Sequence, residues 1–275
     1  MIDYYRAAKE GSRRKRRHRT FLILWICFGL LVFGGVLYLL RSPFLRVDGL
    51  SVEGVDAIVA DSISRDVFSF INNRGWIGHL LFADNSSVRA FFLKNAIENT
   101  IQKTFPLVSS VRFSTPFFGG SGVVELSQRE RFGLWCGGVA SVDVENLVDT
   151  PCFWFDRNGV VFLEGPQARG GLLDKLYDPS VSSLQLGDHI FSSDEMDVLI
   201  DIFSFLETSH IGTRSLILSD RSRAQISTFD PTLPTFYFSL RQSPLFALKA
   251  VEELRSQFDQ LHYIDLQVKN RVYYQ

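Results

Sequence analysis

Several common features are missing from this 275-residue chain, and their absence narrows its class before any motif is considered. The chain has only three Cys residues, no fixed-period repeat and no Pro-rich or Ser-rich stalk, which excludes disulfide-dense, collagen-like and low-complexity proteins. Apart from one apolar run near its start, it has no second run of 18 or more apolar residues. If that run crosses a membrane, the protein therefore crosses it once.

The formal net charge of −1 hides an uneven distribution of charge along the chain. Residues 1–20 carry a net charge of +6, residues 21–40 carry none, and the remaining 235 residues carry −7. A basic tail, an apolar segment and an acidic remainder exclude an ordinary soluble cytosolic protein. The basic cluster nearest the apolar segment consists of Arg13, Arg14, Lys15, Arg16, Arg17 and Arg19.

The apolar segment at 21–40 predicts a transmembrane helix, because twenty helical residues span about 30 Å, the thickness of a hydrocarbon core. The basic cluster before it predicts a cytoplasmic N-terminus and an extracytoplasmic C-terminal region, and it also favours contact with anionic lipid. A cleaved signal peptide is the alternative. Its apolar region would be about 7–15 residues long and would precede small residues, whereas Arg41-Ser42-Pro43-Phe44 follows here, so an uncleaved anchor is favoured. In this position the basic run does not indicate nucleic-acid binding.

No catalytic motif is visible in the exported region. It lacks G-x-S-x-G, H-E-x-x-H, a P-loop and a paired C-x-x-C, and its His residues are scattered, so we predict no enzyme activity and no cofactor. Asp194, Asp197 and Asp201 share one face of a predicted helix. A solvated face with favourable charge at the helix start is preferred to a metal site there.

Two of the three cysteines fall in the exported region, where thiols are open to oxidation. Cys136 and Cys152 flank a 15-residue segment at the ends of adjacent predicted strands, and we predict a disulfide between them. Two separate thiols are the alternative.

Apolar periodicity predicts an α+β fold with two units after the membrane segment. Residues 44–128 have the order β-α-α-β-β: a strand at 45–53, helices at 57–73 and about 88–104, a loop between them, and strands at 108–114 and 122–128. In residues 129–275 the same periodicity predicts a mixed sheet faced by two helices. Its clearest signals are the hairpin turn Asp156–Gly159 and the capping box that begins at Ser192.

Three stretches resemble a known family. The opening Pro43–Val47 with Leu50–Val55, the hairpin Cys152–Phe162 and the ending Tyr263–Tyr274 are similar to the corresponding segments of the bacterial FtsQ/DivIB cell-division proteins. Gln267 and Val268 depart from that family, which usually has Arg and an aromatic residue at these two positions. The segment 164–190 carries no clear family mark.

The resemblance implies that residues 44–128 form a POTRA domain and that residues 129–275 form the family's β domain. It also implies a non-enzymatic scaffold at the division septum, which binds bitopic coiled-coil proteins of the FtsB/FtsL or DivIC type and helps to recruit and regulate the septal peptidoglycan synthase complex. In such proteins an edge strand of the β domain accepts a partner strand. The matching strip has Val268, Asn270, Val272 and Tyr274 on one face and Lys269, Arg271 and Tyr273 on the other.

Two other functions remain as alternatives at this point. One is a membrane-anchored extracytoplasmic enzyme that acts on cell-wall polymer, which would need a buried polar cluster in a cleft. The other is a POTRA-bearing chaperone or transport component, which would normally carry several POTRA repeats or a barrel.

Overall fold

A computed structural model describes residues 2–137, 151–167, 172–180 and 185–275 of the chain. It has mixed α and β structure with one long N-terminal helix and two sheets. Its contacts divide the chain into two compact units, Met1–Gln102 with Ser110–Ser127, and Lys103–Ser109 with Gln128–Gln275.

The N-terminal helix α1 runs from Ile2 to Leu40. Its second half, Phe21–Leu40, has a mean hydropathy of 2.5 and is long and apolar enough to cross a membrane. Most of its large apolar side chains are exposed, so the fold itself provides no core for this segment. A turn at Arg41-Ser42 ends the helix, and a 3-10 turn over Pro43–Leu45 follows, with the Ser42 hydroxyl accepting a hydrogen bond from the Phe44 N–H.

The rest of the first unit places helices against a small sheet. The order in this sheet is β1-β3-β2, and β1 is parallel to β3. The central residues of the core include Ile63, Ile71, Ile97 and Phe113, all with almost no exposed surface. The elements are β1 (Val47–Glu53), α2 (Ala57–Asn72), α3 (Trp76–Leu81), α4 (Ser87–Phe92), α5 (Lys94–Thr104), β2 (Val108–Ser114) and β3 (Gly120–Gln128).

Two helix predictions in this unit need correction. The predicted loop after residue 73 contains the short helix α3. Its side chains Trp76 and Ile77 are largely exposed, so the helix has no apolar face from which the sequence could predict it. The predicted helix at 88–104 is two helices, α4 and α5, which are separated at Leu93, where ψ is near 5°. Ser86 caps α4 through its side chain, as a Ser in this position predicts.

The second unit is built on a nine-stranded sheet in the order β12-β11-β10-β9-β8-β7-β4-β5-β6. Parallel and antiparallel pairs both occur in it. The strands are β4 (Gly133–Gly137), β5 (Cys152–Phe155), β6 (Val161–Glu164), β7 (Lys175–Asp178), β8 (Ser215–Asp220), β9 (Gln225–Thr228), β10 (Thr235–Ser239), β11 (Tyr263–Asp265) and β12 (Tyr273–Tyr274).

Two helical segments cover one face of this sheet. Helix α6 (Ser193–Thr208) begins with the predicted capping box between Ser192 and Glu195. A second segment contains a 3-10 turn at Pro244–Ala247, helix α7 (Leu248–Leu254) and another 3-10 helix at Arg255–Gln260. The core between helices and sheet is rich in aromatic residues, with Phe205 5.8 Å from Phe238 and Phe236 5.7 Å from Phe258 between ring centroids.

One strand of the large sheet has no counterpart among the predictions. Strand β7 lies inside the segment 164–190 and pairs in parallel with both β4 and β8, so it is internal to the sheet. Its sequence, KLYD, is short and includes a buried Lys175, so its hydrophobic pattern is weak. The observed strands lie within a few residues of the other predicted ones, which is the usual spread for strand ends. In this unit the alternation of apolar and polar residues predicts strands at 132–136, 152–163, 214–219, 224–229, 235–240, 263–268 and 271–274.

Candidate functional site at the sheet edge

The last 13 residues of the chain form a hairpin at one edge of the large sheet. Strand β11 is followed by a turn around Val268–Asn270 and then by β12, with Ile264 opposite Tyr274 and Asp265 opposite Tyr273. Asn270 has a φ of 59°, in the left-handed region that Asn adopts more readily than most residues. The hairpin makes β12 the outermost strand of the sheet.

The pairing determines which backbone groups of β12 point outwards. Tyr263 and Gln275 exchange two N–H to C=O hydrogen bonds, each 3.3 Å long, so they form a hydrogen-bonded pair. In an antiparallel ladder such pairs alternate with pairs that make no bond to each other. Tyr274 and Ile264 form the next pair, so the N–H and C=O of Tyr274 point away from β11, towards the open edge.

The opposite edge of the sheet is covered. Val161 on β6 donates its N–H to the Asp188 carbonyl at 2.9 Å and accepts the Gly187 N–H at 2.6 Å, and Ile190 donates to the Gly159 carbonyl at 2.9 Å. The segment 187–190 thus occupies backbone positions that another strand would need. Within the ranges that the structure describes, β12 is the uncovered edge of this sheet.

The two faces of the sheet next to this edge differ sharply. The face towards the helices carries Phe236, Phe238 and Ile264, which are fully buried. The outer face carries a row formed by Tyr237, Asp265 and Tyr273, which lie opposite one another on β10, β11 and β12. We call this row, together with its neighbour Tyr263, the tyrosine face.

The tyrosine face combines exposed rings with polar groups. Tyr237 and Tyr273 are 37% and 44% exposed, and the ring centroids of Tyr237 and Tyr263 are 6.1 Å apart. The Arg271 guanidinium donates to the Tyr273 hydroxyl at 3.2 Å, and this hydrogen bond raises the pKa of Arg271. Exposed Tyr and Arg side chains are typical of protein interfaces, because each offers a large apolar surface with a polar end.

The hairpin corrects the predicted partner-binding strip. Val268, Lys269 and Asn270 lie in the turn and not in a strand, because the chain must reverse there to pair β12 with β11. The predicted alternation of faces therefore does not extend through them. Val272 is partly buried against the core, so it is not available to a partner.

The remaining residues of that strip lie at the edge. Arg271, Tyr273 and Tyr274 are exposed, and the two tyrosines form β12. Sequence reasoning missed Tyr237 and Tyr263 as site residues. The alternation of Thr235, Phe236, Tyr237 and Phe238 contained the signal, since two buried Phe residues place Tyr237 on the opposite face.

The other predicted site residues lie away from this edge. Cys136 and Cys152 form a disulfide with a Cα–Cα distance of 4.1 Å, and they face each other across β4 and β5. No group of three or more His, Cys, Asp or Glu residues among the described positions has an arrangement that could hold a metal ion, and this includes Asp194, Asp197 and Asp201. The basic cluster lies on α1, but the side chains of Arg13, Arg14, Lys15, Arg16, Arg17 and Arg19 are outside the described part of the structure.

Comparison with known proteins assigns no family: no protein-family model matches the chain, and no curated protein matches it at a significant level.

Proposed function

We propose that the chain is a single-pass protein of the cytoplasmic membrane, with its N-terminus in the cytoplasm and residues 44–275 outside. The support is the 20-residue apolar segment at the end of α1, preceded by a net charge of +6. Charge of this sign is retained on the cytoplasmic side during membrane insertion. The short connection of 41–43 then holds the first exported unit close to the outer surface of the bilayer.

The first exported unit is proposed to be a POTRA domain, and the second the β domain of an FtsQ/DivIB-type protein. In favour of this assignment, the first unit has a strand, a group of helices and two further strands, and its first strand is parallel to its last. The motif resemblances in the sequence support it as well. Both units then act as a scaffold and not as an enzyme.

The proposed function is the capture of a partner strand at the edge of β12. The observation that carries it is that this edge is uncovered and adjoins the tyrosine face, whereas the opposite edge is covered by 187–190. A partner strand would pair with the outward backbone groups of Tyr274, and its side chains would contact the exposed ring of Tyr273 on the neighbouring strand. Such an edge is suited to a protein partner and offers nothing specific to a nucleic acid.

The proposed partners are small bitopic coiled-coil division proteins of the FtsB/FtsL or DivIC type. Their membrane segments and that of this chain would be held in the same bilayer, which raises the effective concentration of the partner at β12. Through these partners the chain would help to recruit and regulate the septal peptidoglycan synthase complex, and the protein would concentrate at the division septum.

The variant Tyr274→Pro tests strand capture directly, because proline removes the outward N–H of residue 274. The bonds within the hairpin use Tyr263 and Gln275, so they are retained. Tyr274→Ala is the matched control, since it removes the same side chain but keeps the N–H. We expect recovery of coexpressed FtsB/FtsL-type partners in a pull-down to fall strongly for Tyr274→Pro and much less for Tyr274→Ala.

Two results would contradict the proposal. Equal partner recovery from both variants would exclude backbone pairing at this edge. Uniform distribution of a fluorescent fusion around the membrane, with normal division after depletion of the protein, would exclude a role at the septum.

A further inference from the structure

An open cleft of about 520 Å³ lies in the first unit, directly after the apolar helix. Its charged lining comes from two chain segments that are distant in sequence. Arg41 and Arg46 flank the 3-10 turn that follows α1, and Arg74 lies in the connection between α2 and α3. His79 and Asp84 complete the ionisable groups of the lining.

One of the three arginines is already used to build the wall of the cleft. The Arg74 side chain is only 3% exposed and donates to the Ala83 carbonyl at 2.5 Å and to the His79 Nδ1 at 3.0 Å. It also forms an ion pair with Asp84, which offsets the acidic charge of the lining. Arg41 and Arg46 therefore give the cleft a net positive charge.

The other two guanidinium groups are available to a ligand. Arg41 makes one hydrogen bond, from Nη2 to the His79 carbonyl at 2.8 Å, which holds its side chain over the cleft. The Arg46 side chain is exposed and makes no hydrogen bond or ion pair with the described residues, although its backbone is held by Pro43 and Gly120. Guanidinium groups bind phosphate oxygen atoms through paired N–H donors, and these two line the same cleft.

The surroundings of these arginines indicate where that phosphate comes from. Arg41 is the first residue after the apolar helix, and Phe44 between the two arginines is 81% exposed. The Phe117–Phe118 turn lies beside it, because a Cβ placed on Gly119 would be 2.5 Å from the Phe44 carbonyl oxygen, and Phe118 is 80% exposed. Exposed Phe rings next to a membrane helix can insert into the apolar edge of the bilayer, as apolar residues at membrane surfaces do.

We propose that Arg41 and Arg46 bind the phosphate of an anionic phospholipid headgroup in the outer leaflet of the membrane. This inference rests on the proposed membrane anchoring but not on partner capture at β12. A soluble phosphate offers the same chemistry, but it would not account for the exposed Phe44 and Phe118 next to the arginines. Bound lipid would restrain the first unit at the membrane surface.

The test uses the full-length protein in nanodiscs of phosphatidylglycerol and phosphatidylcholine, with native mass spectrometry of the lipids that stay bound. We expect the wild type to retain more phosphatidylglycerol than phosphatidylcholine. Arg41→Gln with Arg46→Gln should lower that preference by roughly five-fold for each charge removed. Arg65→Gln is the matched control, because Arg65 is exposed on α2, outside the cleft lining, and should leave the preference unchanged. The N-terminal basic cluster is intact in every variant, so its contribution cancels.

Lysine at both positions should restore part of the preference, which distinguishes charge from a change of fold. Equal phosphatidylglycerol retention by the wild type and the double Gln variant would overturn the proposal. Excess inorganic phosphate provides the second arm: if it displaces the retained lipid, the ligand is soluble phosphate and the lipid assignment is wrong. Partner recovery in the pull-down should be unaffected by the two Gln substitutions, so this inference and strand capture can fail separately.

Discussion

At the scale of single residues, the Asp156 carboxylate both shapes the hairpin between β5 and β6 and pairs with Arg129. Its Oδ1 accepts the N–H groups of Asn158 and Val160 at 2.9 Å each, which shapes the turn. Its Oδ2 pairs with Arg129 at 2.5 Å, and the two side chains are only 7% and 10% exposed. Arg129 in turn donates to the Pro106 carbonyl at 2.8 Å. A hairpin motif that is visible in the sequence is thus joined to residues far from it along the chain.

We expect Asp156→Asn to lower the free energy of unfolding by about 3 kcal/mol or more, because it leaves the Arg129 charge buried without a counter-charge. Urea unfolding of the full-length protein in detergent measures this. Glu207→Gln is the control, because Glu207 pairs with Arg214 while 71% exposed, and its loss should cost less than about 1 kcal/mol. If the two substitutions cost the same, the buried ion pair has no special role.

Asp174 predicts a pH dependence of stability. Burial raises the pKa of its carboxyl group, Arg214 lowers it and Glu207 raises it. Because the folded protein binds the Asp174 proton more tightly than the unfolded chain does, protonation of this group stabilises the fold. The stabilisation is complete below pH 3.8, the ordinary pKa, and it is lost as the pH rises through the higher pKa of the folded state. We therefore expect Asp174→Asn to become more stable relative to the wild type as pH rises from below 3.8 towards neutrality.

Urea unfolding of both proteins across that pH range measures the difference. Glu207→Gln should weaken the effect, because it removes a charge that raises the Asp174 pKa. A difference between wild type and Asp174→Asn that does not change with pH would contradict the assignment.

At the scale of elements, the Cys136–Cys152 disulfide joins β4 to β5 at the end of their paired segment. Closing a loop of about 15 residues stabilises a fold by about 3 kcal/mol in the chain-entropy estimate. We expect the double variant Cys136→Ala with Cys152→Ala to lose about this amount in urea unfolding. A reductant should lower the stability of the wild type and leave the double variant unchanged. Two alkylatable thiols in the exported protein would show that the bond does not form.

The edge hairpin shows what local pattern can and cannot predict. Tyr273–Tyr274 were expected to be extended, and they are, because alternating apolar and polar residues favour a strand. The sequence predicts two extended segments here, at 263–268 and 271–274, but the predicted partner-binding strip runs as one strand through the turn at Val268–Asn270. Its residues would also suit a strand, and only pairing with β11 requires the chain to reverse there. The internal strand β7 was missed for a similar reason. Pairing with β4 and β8 stabilises it as a strand, although its own sequence has little alternation of apolar and polar residues.

At the scale of the whole molecule, the distribution of charge predicts its orientation in the membrane. Replacing Arg14, Arg16 and Arg17 with Ala should allow part of the protein to insert with its C-terminal units in the cytoplasm. Cys136 and Cys152 then report the orientation, because they stay reduced and alkylatable in that compartment.

The control carries the same number of substitutions in the exported region. Arg65, Arg112 and Arg223 are exposed, and replacing all three with Ala should leave the cysteines oxidised. If the two triple variants contain the same fraction of alkylatable thiol, charge near the helix does not decide the orientation.

Features that depend only on neighbouring residues could be predicted from the sequence: the apolar helix, the basic tail, the capping box at Ser192 and the hairpin turn at Asp156–Gly159. Each follows from periodicity, charge or turn chemistry over a few residues. Tertiary structure alone decided the strand order, the covering of β6 by 187–190, and the meeting of Tyr237, Asp265 and Tyr273 on one face. It also brought Arg41 and Arg46 to a cleft built on Arg74. Arg41 and Arg74, like Tyr237 and Tyr273, are more than 30 positions apart in the sequence. Contacts between such distant residues depend on how the whole unit packs.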